Sequence, residues 1–127
     1  MEVRYSPDPI RFERMTTQET RHHFLIETLF KPGTVEMIYI DIDRVIAGSA
    51  VPTTGPLTLS SAAELRAEFF CQRRELGILN IGQGGTVTVD KTPYKMNNKD
   101  VLYVGRGSKE IIFTSDNAAS PAMFYLV

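Results

Sequence analysis

From residue 68 onward the chain is cut into short runs at near-regular spacing: 68–73, 78–81, 86–89, 93–96, 101–104, 110–114 and 123–127. Each is too short for a stable helix of about 10 residues or more, and the breaks between them are rich in Gly, Asn, Asp, Ser and Pro. Many short strands at such intervals define a sandwich or barrel rather than a parallel sheet with crossover helices. The same grammar begins earlier. Val35, Met37 and Tyr39 alternate with Glu36 and Ile38, a β-branched run follows at 44–51, and 57–59 resumes the pattern after the breaker Pro52-Thr-Thr-Gly-Pro56. The fold class is therefore mainly β.

The first third reads differently. Residues 1–15 hold two prolines and mixed charge with no clean period, so they are expected to form an extended arm ordered by packing. Thr16 and Glu19 have capping-box spacing, and 17–25 lacks Gly and Pro, which predicts a short N-terminal helix closed by the turn Lys31-Pro-Gly33. Ser61 and Glu64 offer a second capping box for at most two helical turns. The expected organisation is an arm and helix over 1–33 and a β-barrel over 34–127.

Several function classes are excluded at this level. No apolar run approaches the roughly 20 residues needed to span a bilayer, so membrane insertion is not expected. The N-terminus carries both signs of charge and no apolar signal core, which favours the cytoplasm. Net charge is −1 and the basic residues are scattered apart from the pair Arg73 and Arg74, without the clustered footprint of a nucleic-acid binder. The single Cys71 can form neither an internal disulfide nor, alone, a thiolate metal site.

Three features could carry chemistry. The stretch 75–90 places Gly82, Gly84 and Gly85 between two strand-like runs; it reads as a turn using the positive φ open to glycine, because a phosphate cradle would open a helix instead. His22 and His23 are adjacent on the predicted helix and point about 100° apart, so they do not grip one metal together; one solvated and one packed at a contact is the expected arrangement. No catalytic residue can be assigned. Arg73, Arg74 and Glu75 form the one dense charge cluster. On a strand, Arg73 and Glu75 would share a face and Arg74 would take the other, so an inward arginine could hold a sugar-acid carboxylate through its planar fork. The alternative is an ion pair with Glu75, within the chain or between subunits.

The spacing of Glu75 and Gly82, with Asp100-Val-Leu-Tyr-Val-Gly105-Arg-Gly107-Ser-Lys-Glu110 further on, resembles the two motifs of the cupin superfamily, which implies a jelly-roll β-barrel. In that pattern metal-binding histidines would fall near Phe69, Cys71 and Glu110, and a proline near Gly105; only Glu75 is kept of four ligand positions, so no metal is expected in this chain. Four blocks taken in order, at 20–30, 42–48, 72–82 and 103–110, look like the 5-keto-4-deoxyuronate isomerase family of two-cupin proteins.

That resemblance implies a hexuronate substrate, pectin and uronate breakdown, a divalent metal (usually zinc) held by the second cupin, and a hexameric homo-oligomer. It also implies carbonyl transfer through an enediol-like intermediate, with the metal as Lewis acid. The apolar run 122–127 is expected to continue into a second cupin, or else to be a strand buried in mid-sheet. A metal-free cupin-like module that binds a sugar acid or mediates assembly is the alternative function.

Overall fold

The computed structural model describes all residues, Met1–Val127. Two sheets carry the fold. In the six-stranded sheet the order is β1 (Glu2–Arg4), β2 (Val35–Ile40), β3 (Val45–Ala50), β10 (Phe124–Leu126), β5 (Leu76–Asn80) and β8 (Val101–Val104). In the four-stranded sheet it is β4 (Leu57–Thr58), β9 (Ile111–Ser115), β6 (Gly85–Val89) and β7 (Thr92–Met96). All pairings are antiparallel except β1 with β2. No strand pairing joins the two sheets, so the expected closed barrel is a jelly-roll-like sandwich with open seams.

Alternation decides which side chains face inward. Leu76, Ile78 and Asn80 of β5, Ile111 and Phe113 of β9, and Phe124 and Leu126 of β10 are all buried, with more accessible residues between them. Phe113 and Phe124 meet across the sandwich at 5.4 Å between ring centroids, and both are fully buried. Burying one such ring contributes up to about 3 kcal/mol, and the pair anchors an apolar core that also contains Val87, Met96 and Val104.

The helix expected after Thr16 is α2 (Thr17–Phe24), preceded by the single turn α1 (Pro9–Phe12). Both halves of its capping box form: the Glu19 amide donates to Thr16 Oγ1 at 3.3 Å and the Thr16 amide to Glu19 Oε2 at 2.8 Å. The Thr16 amide, joined by the Thr16 hydroxyl donating to the same oxygen at 2.8 Å, holds the Glu19 carboxyl below its ordinary range. The arm is more structured than a merely extended segment, since β1 adds a parallel edge strand to β2 and Asp8 caps α1.

Three other expectations need correction. Residues 68–73 are not a strand. Phe70–Gln72 is a 3₁₀ turn that buries the consecutive residues Phe70 and Cys71, which an alternating strand on a one-sided sheet would not do. The Ser61 capping box does not form: Ala62 precedes the 3₁₀ turn Ala63–Leu65, and the buried Ser61 Oγ has no hydrogen-bond partner.

Gly82, Gly84 and Gly85 do not adopt positive φ, and β5 and β6 lie in different sheets, so this is a crossing between sheets and not a hairpin. Glycine is required there for space: a Cβ on Gly82 would lie 2.3 Å from the Met123 amide nitrogen. β10 lies between β3 and β5 with both edges paired, so the apolar run 122–127 is a strand in mid-sheet, one of the two arrangements expected for it.

Candidate functional site

The turn that replaces the expected strand delivers Arg73, Arg74 and Glu75 to one cleft. After Phe70–Gln72 the chain passes through Arg73 and enters β5 at Leu76. The turn is fixed at both ends: the Glu68 amide donates to Gln72 Oε1 at 2.8 Å, and the Gly107 amide donates to the Cys71 carbonyl at 2.8 Å. The strand argument that would have put Arg73 and Arg74 on opposite faces therefore does not apply. All three residues line a cleft of about 330 Å³, together with Tyr39, Arg44 and Phe70.

Arg44 comes from the tight β2–β3 turn, where it holds a left-handed φ of 52°. That conformation costs a non-glycine residue about 1–2 kcal/mol. Arg74 is half-buried, its guanidinium carbon 5.4 Å from the centroid of the Phe70 ring, a cation–π contact worth about 0.5–1 kcal/mol near the surface. Arg73 and Glu75 are exposed.

The anticipated ion pair is absent, for none of Arg44, Arg73 and Arg74 lies within 4.0 Å of a carboxylate oxygen; the ion pairs that do form involve Met1, Arg4, Arg21, Lys31 and Lys95. The Glu75 carboxylate near Tyr103, acting as a hydrogen-bond acceptor and as a charge, together with partial desolvation, raises the phenol above its ordinary pKa. A second cleft of about 360 Å³ shares Tyr39 and Arg74 but is lined by Asp41 and Glu64, the latter 3.1 Å from the Met1 ammonium. Arg74 thus stands between a cationic cleft and an acidic one.

The cupin metal positions do not converge. Phe69 is apolar, Cys71 is buried in the core, Glu75 opens to the cationic cleft, and Glu110 is exposed with its amide donating to Asp90 Oδ1 at 2.9 Å. Burial pushes the Cys71 thiol up to about 11, with Arg74 opposing and Asp90 reinforcing the shift, so at neutral pH it is a protonated thiol and not a metal-binding thiolate. Nowhere do three His, Cys, Asp or Glu side chains come together in a set able to hold a metal ion. The interior where such ligands would point is filled by Leu76, Ile78, Phe113 and Phe124. These residues do not fit a divalent metal.

His22 and His23 sit with ring centroids 5.6 Å apart at 76°. His23 Nδ1 lies 3.1 Å from the Tyr5 carbonyl, and both rings are exposed or nearly so. Arg44 and Tyr39 are the cleft residues that sequence reasoning missed. They lie some 30 residues upstream of Arg74 and join it through the sheet order β2, β3, β10, β5.

The two antiparallel sheets packed over one core give the chain a jelly-roll fold of the cupin type. A solved cupin domain, that of Cnp3 from Schizosaccharomyces pombe, matches with a TM-score of 0.56 at 14% identity, covering 82% of this chain and 69% of that one. No protein-family model matches the chain. Along its length the chain is similar to curated proteins named 4-deoxy-L-threo-5-hexosulose-uronate ketol-isomerase. The protein of that name from Formosa agariphila is 50% identical over 98% of this chain and 45% of its own length. The one from Lachnoclostridium phytofermentans is 48% identical over 99% of this chain and 46% of its own. The chain therefore spans a little under half the length of the curated relatives it matches.

Proposed function

We propose that this chain is the N-terminal cupin of a two-cupin ketol-isomerase that interconverts 4-deoxy-L-threo-5-hexosulose uronate and 3-deoxy-D-glycero-2,5-hexodiulosonate in pectin and uronate breakdown. The observation that carries this reading is alignment of essentially the whole chain with about 46% of relatives bearing that name. Such an isomerisation moves a carbonyl to the neighbouring carbon, which requires a base to carry a proton and a group to stabilise the developing oxyanion.

Inside this sandwich the buried polar residues are Ser49 and Asn80, and the protonated Cys71 thiol is buried as well. Ser49 Oγ accepts the Phe30 amide at 2.8 Å, and Asn80 is committed to backbone groups. None of these is a base poised near neutrality. On this reading the proton chemistry, and a divalent metal (zinc), belong to the other cupin. This one supplies packing, contacts between subunits and part of the substrate wall. The setting is cytoplasmic, in keeping with the lack of any helix long and apolar enough to cross a membrane. The partners are the hexuronate and further copies of the chain in a hexamer. Support for such a contact comes from Phe12 and Phe24, which stack at 5.6 Å on α1 and α2 yet remain at least half exposed.

The second reading is a metal-free module that binds a sugar acid or mediates assembly. What favours it is the set of unpaired arginines in the cleft. The coding sequence beyond Val127 separates the two. The isomerase reading requires two histidines in HxH spacing, a glutamate a few residues later and a further histidine some tens of residues on, in a protein that turns over the hexulose uronate. A continuation without those ligands, or a longer protein without turnover, removes it.

A further inference from the structure

We propose that the cleft formed by Arg44, Arg73 and Arg74 is a carboxylate-binding subsite that takes the acid group of a monomeric sugar acid. The ligand class rests on the uronate reading above; the site itself rests on geometry. Three arginines from two distant segments line one cavity whose other charged groups are Glu75 and the terminal carboxylate of Val127, and none of the three is paired within 4.0 Å. Cations gathered without a direct ion-pair partner repel one another, and a bound anion relieves that repulsion. Arginine presents a planar fork that meets a carboxylate with two parallel hydrogen bonds.

Two features prepare the site. Arg74 is held over the Phe70 ring, which removes part of the rotamer freedom it would lose on binding. Arg44 is presented from a left-handed turn position that asparagine or glycine would occupy with less strain, so arginine there carries a backbone cost. The volume, about 330 Å³, lies at the small end of ligand pockets, roughly 300–1,000 Å³, which is the scale of one sugar ring and not of a polymer. Tyr39 supplies a half-buried aromatic wall for the ring.

The test uses the 127-residue chain and D-galacturonate, with D-galactose and inorganic phosphate as comparisons, followed by isothermal titration or amide chemical-shift mapping. The expected result is saturable galacturonate binding that perturbs the 39–46 and 70–76 amides, weakens as sodium chloride rises, and is at least tenfold tighter than binding of galactose. Arg74→Ala should weaken it about tenfold to a hundredfold, the range for losing a charged hydrogen-bond pair. Arg74→Lys, which keeps charge but not the fork, should recover only part. Arg44→Asn, chosen because asparagine tolerates the left-handed conformation, should weaken it about tenfold, and Lys95→Ala, on β7 of the other sheet, should leave it unchanged.

Circular dichroism checks folding of each variant. If Arg74→Ala unfolds, Arg44→Asn and Arg73→Gln carry the test. Galactose binding as well as galacturonate, no binding of either, or affinity unchanged in Arg44→Asn and Arg74→Ala overturns the proposal. Phosphate binding as tightly as galacturonate overturns the sugar-acid assignment. Because binding is read without turnover, an inactive longer protein would remove the isomerase reading and leave the carboxylate site standing. Absent binding beside an active longer protein would do the reverse.

Discussion

Replacing Asn80 with alanine should remove a large part of the stability of the fold, although the side chain lies in no catalytic or ligand site. It is fully buried at the end of β5, and every hydrogen-bonding position it has is used. Its Nδ2 donates to the Gln83 carbonyl at 2.7 Å and to the Met96 carbonyl at 3.0 Å, while Oδ1 accepts the Gly82 amide at 3.0 Å and the Met123 amide at 3.2 Å. One side chain thereby ties β5 to the sheet crossing, to the end of β7 and to the approach to β10. Truncation leaves the Gly82 and Met123 N–H groups and the Met96 carbonyl without this partner, and each buried orphan costs about 1–3 kcal/mol. Allowing for water at the more exposed Gln83, the loss should be about 3–6 kcal/mol, against a typical domain stability of about 5–15 kcal/mol.

Urea unfolding followed by circular dichroism reads this directly. With a slope of about 2 kcal/mol per molar urea, a loss of about 4 kcal/mol lowers the midpoint by about 2 M. Asn98→Ala is the internal control: that residue also touches the crossing, donating to the Gly82 carbonyl at 2.9 Å, but it is exposed and should cost under about 1 kcal/mol. A midpoint shift below about 0.5 M for Asn80→Ala at unchanged slope would refute the claim that this network holds the two sheets together.

The Cys71 thiol is raised to about 11 from 9.0, so the folded protein keeps a proton that the unfolded chain releases at lower pH. The stability this confers is complete below about pH 9 and is lost as pH rises toward 11, by on the order of 2 kcal/mol. Cys71→Ser should flatten that alkaline decline in urea midpoints measured from pH 8 to 10.5, and an identical slope in both proteins would contradict it. Gly82→Ala places a Cβ against the Met123 nitrogen at 2.3 Å and the Pro121 carbonyl at 2.7 Å, and should cost several kcal/mol. Gly55→Ala meets nothing within 4 Å and should change thermal stability by no more than about 0.5 kcal/mol. Equal effects at the two glycines would show that the crossing can rearrange.

How much of this was legible in the sequence depended on whether a signal was local. Strands such as β6, β8 and β9 follow from alternation within a few residues, and α2 from the capping box of Thr16 and Glu19. Phe69, Phe70 and Cys71 have strand-like composition, yet they form a turn because tertiary contacts reward burying neighbours together, including the bond from Gly107 to the Cys71 carbonyl. β1 gave no signal, since three residues of mixed charge become a strand only through parallel pairing with β2.

At the site, adjacency in sequence brought out Arg73, Arg74 and Glu75, and the structure does bring them to one cleft, by a turn and not by a strand. Arg44 read as the start of a strand; its role in the cleft depends on a turn that folds back beside Phe70. Asn80 looked like one more polar residue near a strand end, because its four partners come from three places in the chain.

The central claim is that this cupin contributes to isomerisation without performing the proton transfer itself. It is tested most directly by assaying the purified 127-residue chain, supplied with zinc, for conversion of 4-deoxy-L-threo-5-hexosulose uronate. The expected result is no turnover above the protein-free blank. Saturable turnover, abolished by a chelator and accompanied by stoichiometric metal in the short chain, would contradict the account.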